Sequence, residues 1–237
     1  MAPLDPEDYI PQMADSTDWA AQTEARLLDA ALPLAPELGW TSRLVDAAAR
    51  AVGLSRPEAE LLLPEGPRDL AALLSYRHDE AALTALAGVD PSELKIRERI
   101  ARGVETRVEA AMADEAAVRR ELGFLALPQN MALGARLAWE SADRIWRWAG
   151  DVSTDENHYS KRAILAALLS STMMVRISNT PAAAARHLER GIGAVMSFEK
   201  MKAKVAARPF AAAAAEALGR LRYGARRDRD GDGPTPA

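Results

Sequence analysis

The chain has 237 residues and no cysteine, and its 30 basic and 34 acidic side chains give a formal charge of −4. That length holds one generous domain, or a small module fused to a larger one. The absence of thiols excludes a disulfide framework, a thiolate metal site and a cysteine nucleophile, and the overall charge offers no footprint for nucleic acid. Hydrophobic residues make up 49% of the sequence and aromatics only 5%. Much of the apolar content is Ala and Leu, the best helix formers, so helix is expected to dominate.

Residues 1–24 contain Asp5, Glu7, Asp8, Asp15, Asp18 and Glu24 and no Lys or Arg. This is the opposite of a signal peptide or a mitochondrial presequence, so neither secretion nor organelle import is expected. With Pro3, Pro6 and Pro11, residues 1–17 read as a flexible acidic arm.

Helical periodicity with start and stop signals then predicts helices near 18–32, 41–52, 56–63, 67–87, 91–112, 114–126, 129–149, 154–178, 181–206 and 209–224. Ser55 with Glu58, Asp90 with Glu93, and Ser153 with Glu156 match capping boxes. Thr180-Pro181 reads as a cap followed by proline, and Gly53 and Gly88 sit where helices should end. No stretch alternates in the manner of a strand, so the predicted fold is all-α with about ten helices.

The opening helices, with GWTSRLVDAAARAVGLS before a short third helix, form a helix-turn-helix-like region over 18–66 that resembles the arrangement of TetR-type regulators. A DNA reader needs cations on that third helix, and RPEAELLLP sets Arg56 against Glu58 and Glu60. The region is therefore expected to be scaffold. A ligand-responsive transcriptional regulator is the alternative function, and no nucleic-acid partner is expected.

Residues 67–206 read as a ligand-binding bundle. Its three histidines, His78, His158 and His187, are too scattered for a helical metal site, and no nucleophile elbow or phosphate loop is present. No catalytic residue, metal or cofactor is predicted. The 154–178 helix carries no charge from Ala163 to Val175 and has two apolar stripes: Ile164, Leu168, Ser171 and Val175, and Leu165, Leu169 and Met173. Such a helix is buried on both sides, by protein or by an apolar ligand. The 207–227 segment reads as an amphipathic last helix, with Phe210, Leu218 and Leu221 on or beside its apolar face and Arg220 and Arg222 flanking it, as in helices that lie on anionic membranes. Residues 228–237 read as a disordered tail.

One run stands out: from Trp146 the chain reads WRWAGDVSTDENHYSKRAIL. It closely resembles the signature of the COQ9 family, accessory proteins of ubiquinone biosynthesis. LLDAALPLAPELGWT, LLLPEGPRDL, KIRERIARGVETRVEAA, LPQN and HLERGIGAVMSFEK also look like family segments. The resemblance implies a TetR-like all-α homodimer without catalytic activity that binds isoprenoid lipid or a quinone precursor and docks on a di-iron hydroxylase of the pathway. On this reading the lipid meets Trp146, Ile164, Leu168, Met173, Val175, Leu188, Ile192 and Phe198, and the partner meets Asp155, His158, Tyr159 and Arg162. The last helix is implied to touch the membrane. Position 158 is commonly Trp in the family and is His here. Without a presequence, the chain is expected to be a bacterial member, cytoplasmic and peripherally associated with the inner membrane.

Overall fold

The computed structural model describes the backbone of residues 6–151 and 156–206 and the side chains of residues 19–151 and 158–195. Among the described residues the fold is all-α. The helices are α1 (Pro6–Ala31), α2 (Ala35–Leu38), α3 (Ser42–Val52), α4 (Arg56–Leu62), α5 (Pro67–Leu86), α6 (Ile96–Met112), α7 (Glu115–Leu125), α8 (Met131–Trp148), α9 (Glu156–Ser178) and α10 (Pro181–Ala206). Single 3-10 turns at Pro91–Glu93 and Pro128–Asn130 precede α6 and α8. The chain divides into two compact units, Met1–Leu188 and Glu189–Ala237. The packing described below is that of the first.

Local chemistry explains most boundaries. Glu58 closes the capping box of α4, accepting from the Ser55 backbone N–H at 2.8 Å. Thr180 Oγ1 accepts from the Ala183 N–H at 3.3 Å at the start of α10. Gly53 ends α3 with φ +81°, and the Leu54 N–H reaches the Ala49 carbonyl at 2.9 Å, the pairing of a left-handed glycine ending. Two expectations are corrected. Helix α1 begins at Pro6 rather than near residue 18; proline at the first position and the acids Glu7 and Asp8 beside it suit a helix start. The expected 91–112 helix is broken: Asp90 caps only the short 3-10 turn, and α6 starts afresh at Ile96 because the Lys95 N–H donates to Glu98 Oε2 at 3.0 Å. The short α2 was not anticipated, and the expected Ser153–Glu156 box and 209–224 helix lie outside the described residues.

Helix α5 is the hub, packing on α6 and α8 on one side and on α1 and α3 on the other. Leu27, Leu44, Leu70 and Leu74 form the core of the α1/α3/α5 part, and Val104, Leu137, Leu165 and Leu169 that of the α6/α8/α9 part. Trp40, buried after α2, donates its indole N–H to the Ala117 carbonyl at 3.1 Å and so ties the two parts together at α7.

Two glycines inside helices are there for opposite reasons. A Cβ built on Gly103 of α6 would lie 2.5 Å from Ile145 Cγ2 on α8, so this glycine sets how closely the two helices approach. A Cβ on the exposed Gly123 of α7 would meet nothing within 4 Å. Gly103→Ala should therefore lower the midpoint of urea unfolding by a clash of about 1–3 kcal/mol, partly offset by a helix-propensity gain of about 1 kcal/mol. Gly123→Ala should raise stability by up to about 1 kcal/mol. A stabilising Gly103→Ala would contradict the close α6–α8 contact.

Candidate functional site

Two places in the first unit gather functional side chains: the junction of α8 with α9, and a cavity within the α5–α9 bundle.

At the junction, the Ala149-Gly150-Asp151 step ends α8. Gly150 takes φ +87°, and the Asp151 N–H returns to the Trp146 carbonyl at 3.0 Å. Arg99 of α6 holds the same corner, donating to the Ala149 carbonyl at 2.8 Å. The turn places Asp151 against two cations of α9, with Lys161 Nζ at 2.8 Å and an Arg162 guanidinium nitrogen at 3.2 Å. Arg162 also donates Nε to Asp143 of α8 at 2.5 Å and a terminal nitrogen to the His158 carbonyl at 3.2 Å. Burial alone would raise Asp143, but the hydrogen bonds and charges of Arg162 and Arg147 prevail and hold its carboxyl below the usual range. Trp146 donates its indole N–H to the Lys161 carbonyl at 3.1 Å, and the Lys161 ammonium sits 5.4 Å from its ring centre.

This frame supports an aromatic face. Tyr159 is 65% exposed, with its ring 6.1 Å from that of Trp139 and 5.2 Å from that of His158. Beside it a hollow of about 350 Å³ is lined by Tyr76, Trp139, Glu140, Asp143 and Arg144. Of the expected partner residues, the structure brings His158 and Tyr159 together. Arg162 is only 2% exposed and acts on this face through the carboxylates it binds, not by direct contact. Asp155 lies outside the described residues.

The expected lipid residues are scattered. Met173 lines the internal cavity and Leu188 is fully buried, while Leu168 and Val175 are half-buried and Ile164 is exposed. Trp146 belongs to the junction. Ile192 is half-buried and falls in the second unit, and the side chain of Phe198 lies outside the described residues, as do Phe210, Leu218, Arg220, Leu221 and Arg222.

The cavity measures about 100 Å³ and carries polar groups that the sequence reading did not single out. Apolar Leu122, Leu137, Leu169 and Met173 line it together with Ser75, His78, Arg107, Glu121 and Ser141. Asp79 of α5 organises most of them: its Oδ1 accepts from Arg107 Nε at 2.5 Å and from Ser141 Oγ at 2.7 Å. Arg107 donates also to the Ser75 hydroxyl at 3.2 Å, and His78 Nε2 shares a 2.9 Å hydrogen bond with Asp114. Glu121, 6% exposed, makes no hydrogen bond among the described residues. Burial pushes its carboxyl up to about 8, against the pull of Arg107, and burial lowers His78 to about 4. One signal in the sequence could have revealed these groups: Arg107 falls on the apolar face shared by Val104, Val108 and Ala111, and Glu121 lies one turn from Val118.

Elsewhere, Arg56 of α4 is tied to Glu60 at 2.8 Å, and the exposed face of that short helix carries Glu58 and a Leu61 that is 80% exposed. This does not favour phosphate. Among the described residues no group of His, Asp and Glu is placed to hold a metal, and no helix is long and apolar enough to cross a membrane.

A sequence model of the COQ9 family matches residues 131–199, which take in α8, the turn and α9. Ubiquinone biosynthesis protein COQ9, mitochondrial, of Rattus norvegicus is 30% identical over 167 residues, covering 67% of this chain and 53% of that protein. The Homo sapiens protein of the same name is 29% identical over 167 residues, covering 67% and 52%. A probable ubiquinone biosynthesis protein coq9, mitochondrial, of Dictyostelium discoideum is 22% identical over 165 residues, covering 67% and 54%. The chain spans about half the length of the curated relatives it matches.

The buried acid and histidine make a signed pH prediction. Glu121 is raised on folding from 4.5 to about 8, so its contribution to stability is complete below pH 4.5 and is lost as pH rises toward 8. His78 is lowered from 6.5 to about 4, so its contribution grows with pH over that interval. The two oppose each other up to pH 6.5, and beyond it Glu121 acts alone. Stability by urea unfolding should fall by about 2 kcal/mol from pH 6.5 to 8, at about 1.4 kcal/mol per unit. In Glu121→Gln this part of the profile should be flat; an unchanged slope would contradict the burial of an acid there.

Proposed function

The chain belongs to the COQ9 family, and we propose that it acts in ubiquinone biosynthesis as a non-enzymatic protein that binds an isoprenoid quinone precursor and presents it to the pathway's di-iron hydroxylase. The observation that carries this reading is the exposed Tyr159, backed by Trp139 and His158 inside the segment that matches the family. A rigid aromatic with a polar tip is the kind of side chain that dominates protein interfaces. Arg162 serves this face as a positioning residue, tying α9, from which Tyr159 projects, to Asp143 and Asp151. His158, where the family resemblance implies Trp, sets a smaller and more polar contact.

The lipid side of the reading is supported by the uncharged run of α9, with Met173 at the cavity and Ile164 exposed. Burial of a prenyl tail provides about 25 cal/mol per Å² of apolar surface. A cavity of about 100 Å³ admits a ring or one end of such a molecule, so the tail lies along helix surface outside it. In this reading the protein works as a homodimer held at the inner membrane surface by residues 207–227, whose Phe210, Leu218, Leu221, Arg220 and Arg222 are the candidates for that contact.

Protein taken from its native host and extracted with organic solvent should release a prenyl lipid or quinone detectable by mass spectrometry; a consistently empty extract contradicts the carrier role. Tyr159→Ala should weaken binding of the hydroxylase by about 30-fold, the loss expected for an interface anchor of about 2 kcal/mol. Its circular dichroism should be unchanged. Unaltered hydroxylase affinity, or loss of helix, would contradict the partner assignment.

A further inference from the structure

The charged groups that line the hollow beside Tyr159 are unequally committed. Asp143 accepts from Arg162 Nε at 2.5 Å and from Arg147 Nε at 2.6 Å. Arg144 is held by Glu80, and Asp79 Oδ2 lies 3.6 Å from its Nε. Glu140 is different: its Oε1 lies 3.4 Å from Arg136, a long contact, and its Oε2 is buried with no hydrogen-bond partner among the described residues. Across the hollow, on α5, burial and after it the Glu140 carboxylate hold the Tyr76 hydroxyl above the usual tyrosine range, so the charge of the acid is felt there. Leaving a buried acceptor of a charged group without a donor is destabilising. Its presence is explained if a donor arrives from another molecule.

We propose that the hollow receives an arginine side chain of the protein that docks on the Tyr159 face, with Glu140 as its acceptor and Trp139 as the surface on which the guanidinium lies. Position supports a partner side chain: Trp139 lines the hollow and its ring stacks on that of Tyr159 at 6.1 Å, so one indole belongs to both. Charge selects a cation. The oxygen that lacks a donor belongs to a carboxylate, and an anion entering here would meet Glu140 and find Arg144 already held by Glu80. Shape selects the guanidinium. It is planar, stacks on aromatic rings and donates a fork of N–H groups to a carboxylate, whereas an ammonium is a strongly hydrated point charge. The chain's own side chains pair in this way on the same surface, with the Arg144 guanidinium 5.9 Å from the Tyr76 ring centre. The hollow, at about 350 Å³, is open to a long side chain. The inference deepens the partner reading by naming the chemistry the partner presents, and rests on it for the partner's identity.

The test follows the indole N–H signal of Trp139 in the full chain by NMR, identified by its loss in Trp139→Phe, during titration with N-acetyl-arginine amide and with its uncharged isostere N-acetyl-citrulline amide. Arginine should shift the signal saturably and citrulline should not. Glu140→Gln, with unchanged circular dichroism, should weaken the arginine response at least about 10-fold, the worth of one charge-assisted hydrogen bond, and should weaken binding of the hydroxylase by a similar factor. No shift with arginine, an equal shift with citrulline, or an arginine response that survives in Glu140→Gln would each overturn the proposal. Tyr159→Ala separates this result from the partner reading. Hydroxylase affinity that falls in Tyr159→Ala and is kept in Glu140→Gln overturns the arginine site alone. A Glu140-dependent arginine response, with hydroxylase affinity unaltered in both variants, overturns the partner reading alone.

Discussion

Arg162 is the constraint from which the junction follows. A single guanidinium, 2% exposed, is shared between Asp143 near the end of α8 and Asp151 just beyond it, with the His158 carbonyl as a third acceptor. A buried charge is tolerable when it is paired and hydrogen-bonded, and here two carboxylates and a carbonyl accept from it. Because the two carboxylates lie on α8 and just beyond its end, these bonds tie α9 to α8. On the tied helix Tyr159 projects over Trp139. The left-handed Gly150 serves the same geometry by ending α8 where Asp151 can turn back.

A second buried charge, the Arg107–Asp79 pair, does for α5, α6 and α8 what Arg162 does for α8 and α9. The two differ in what surrounds them. Arg162 sits under a surface and organises what that surface presents. Arg107 borders a cavity, and by being neutralised it leaves that cavity without net charge. The same bundle thus carries an outward aromatic face and an inward polar-tipped pocket, with α8 and α9 common to both.

Local signals in the sequence read well. The all-α class, the ends at Ser55, Gly53 and Thr180, and the singling out of the Trp146–Arg162 run all come from interactions spanning five residues or fewer, or from a contiguous motif. What was not legible depends on distant pairs. Arg162 looks like part of a solvated cluster because Asp143 is 19 residues away. The Arg107–Asp79 pair is separated by 28 residues, and neither neighbourhood announces the other. Of the two apolar stripes of α9, periodicity could not say which is core; packing buries Leu165, Leu169 and Met173 and leaves Ile164 at the surface. The split of the 91–112 segment turned on whether Asp90 or the Lys95–Glu98 pair starts the helix, a competition between signals five residues apart.

The claim that Arg162 holds the junction is tested most directly by urea unfolding of Arg162→Met beside the triple variant Arg162→Met, Asp143→Asn, Asp151→Asn. Removing the cation alone takes one partner from each of two partly buried carboxylates, which keep Arg147 and Lys161, and should cost about 3 kcal/mol, the low end for a broken buried pair. The triple variant, which removes both carboxylates and leaves only the more exposed Arg147 and Lys161 without them, should recover at least half of that loss. A single variant within about 0.5 kcal/mol of the native protein, the range of ordinary surface substitutions, would contradict the account.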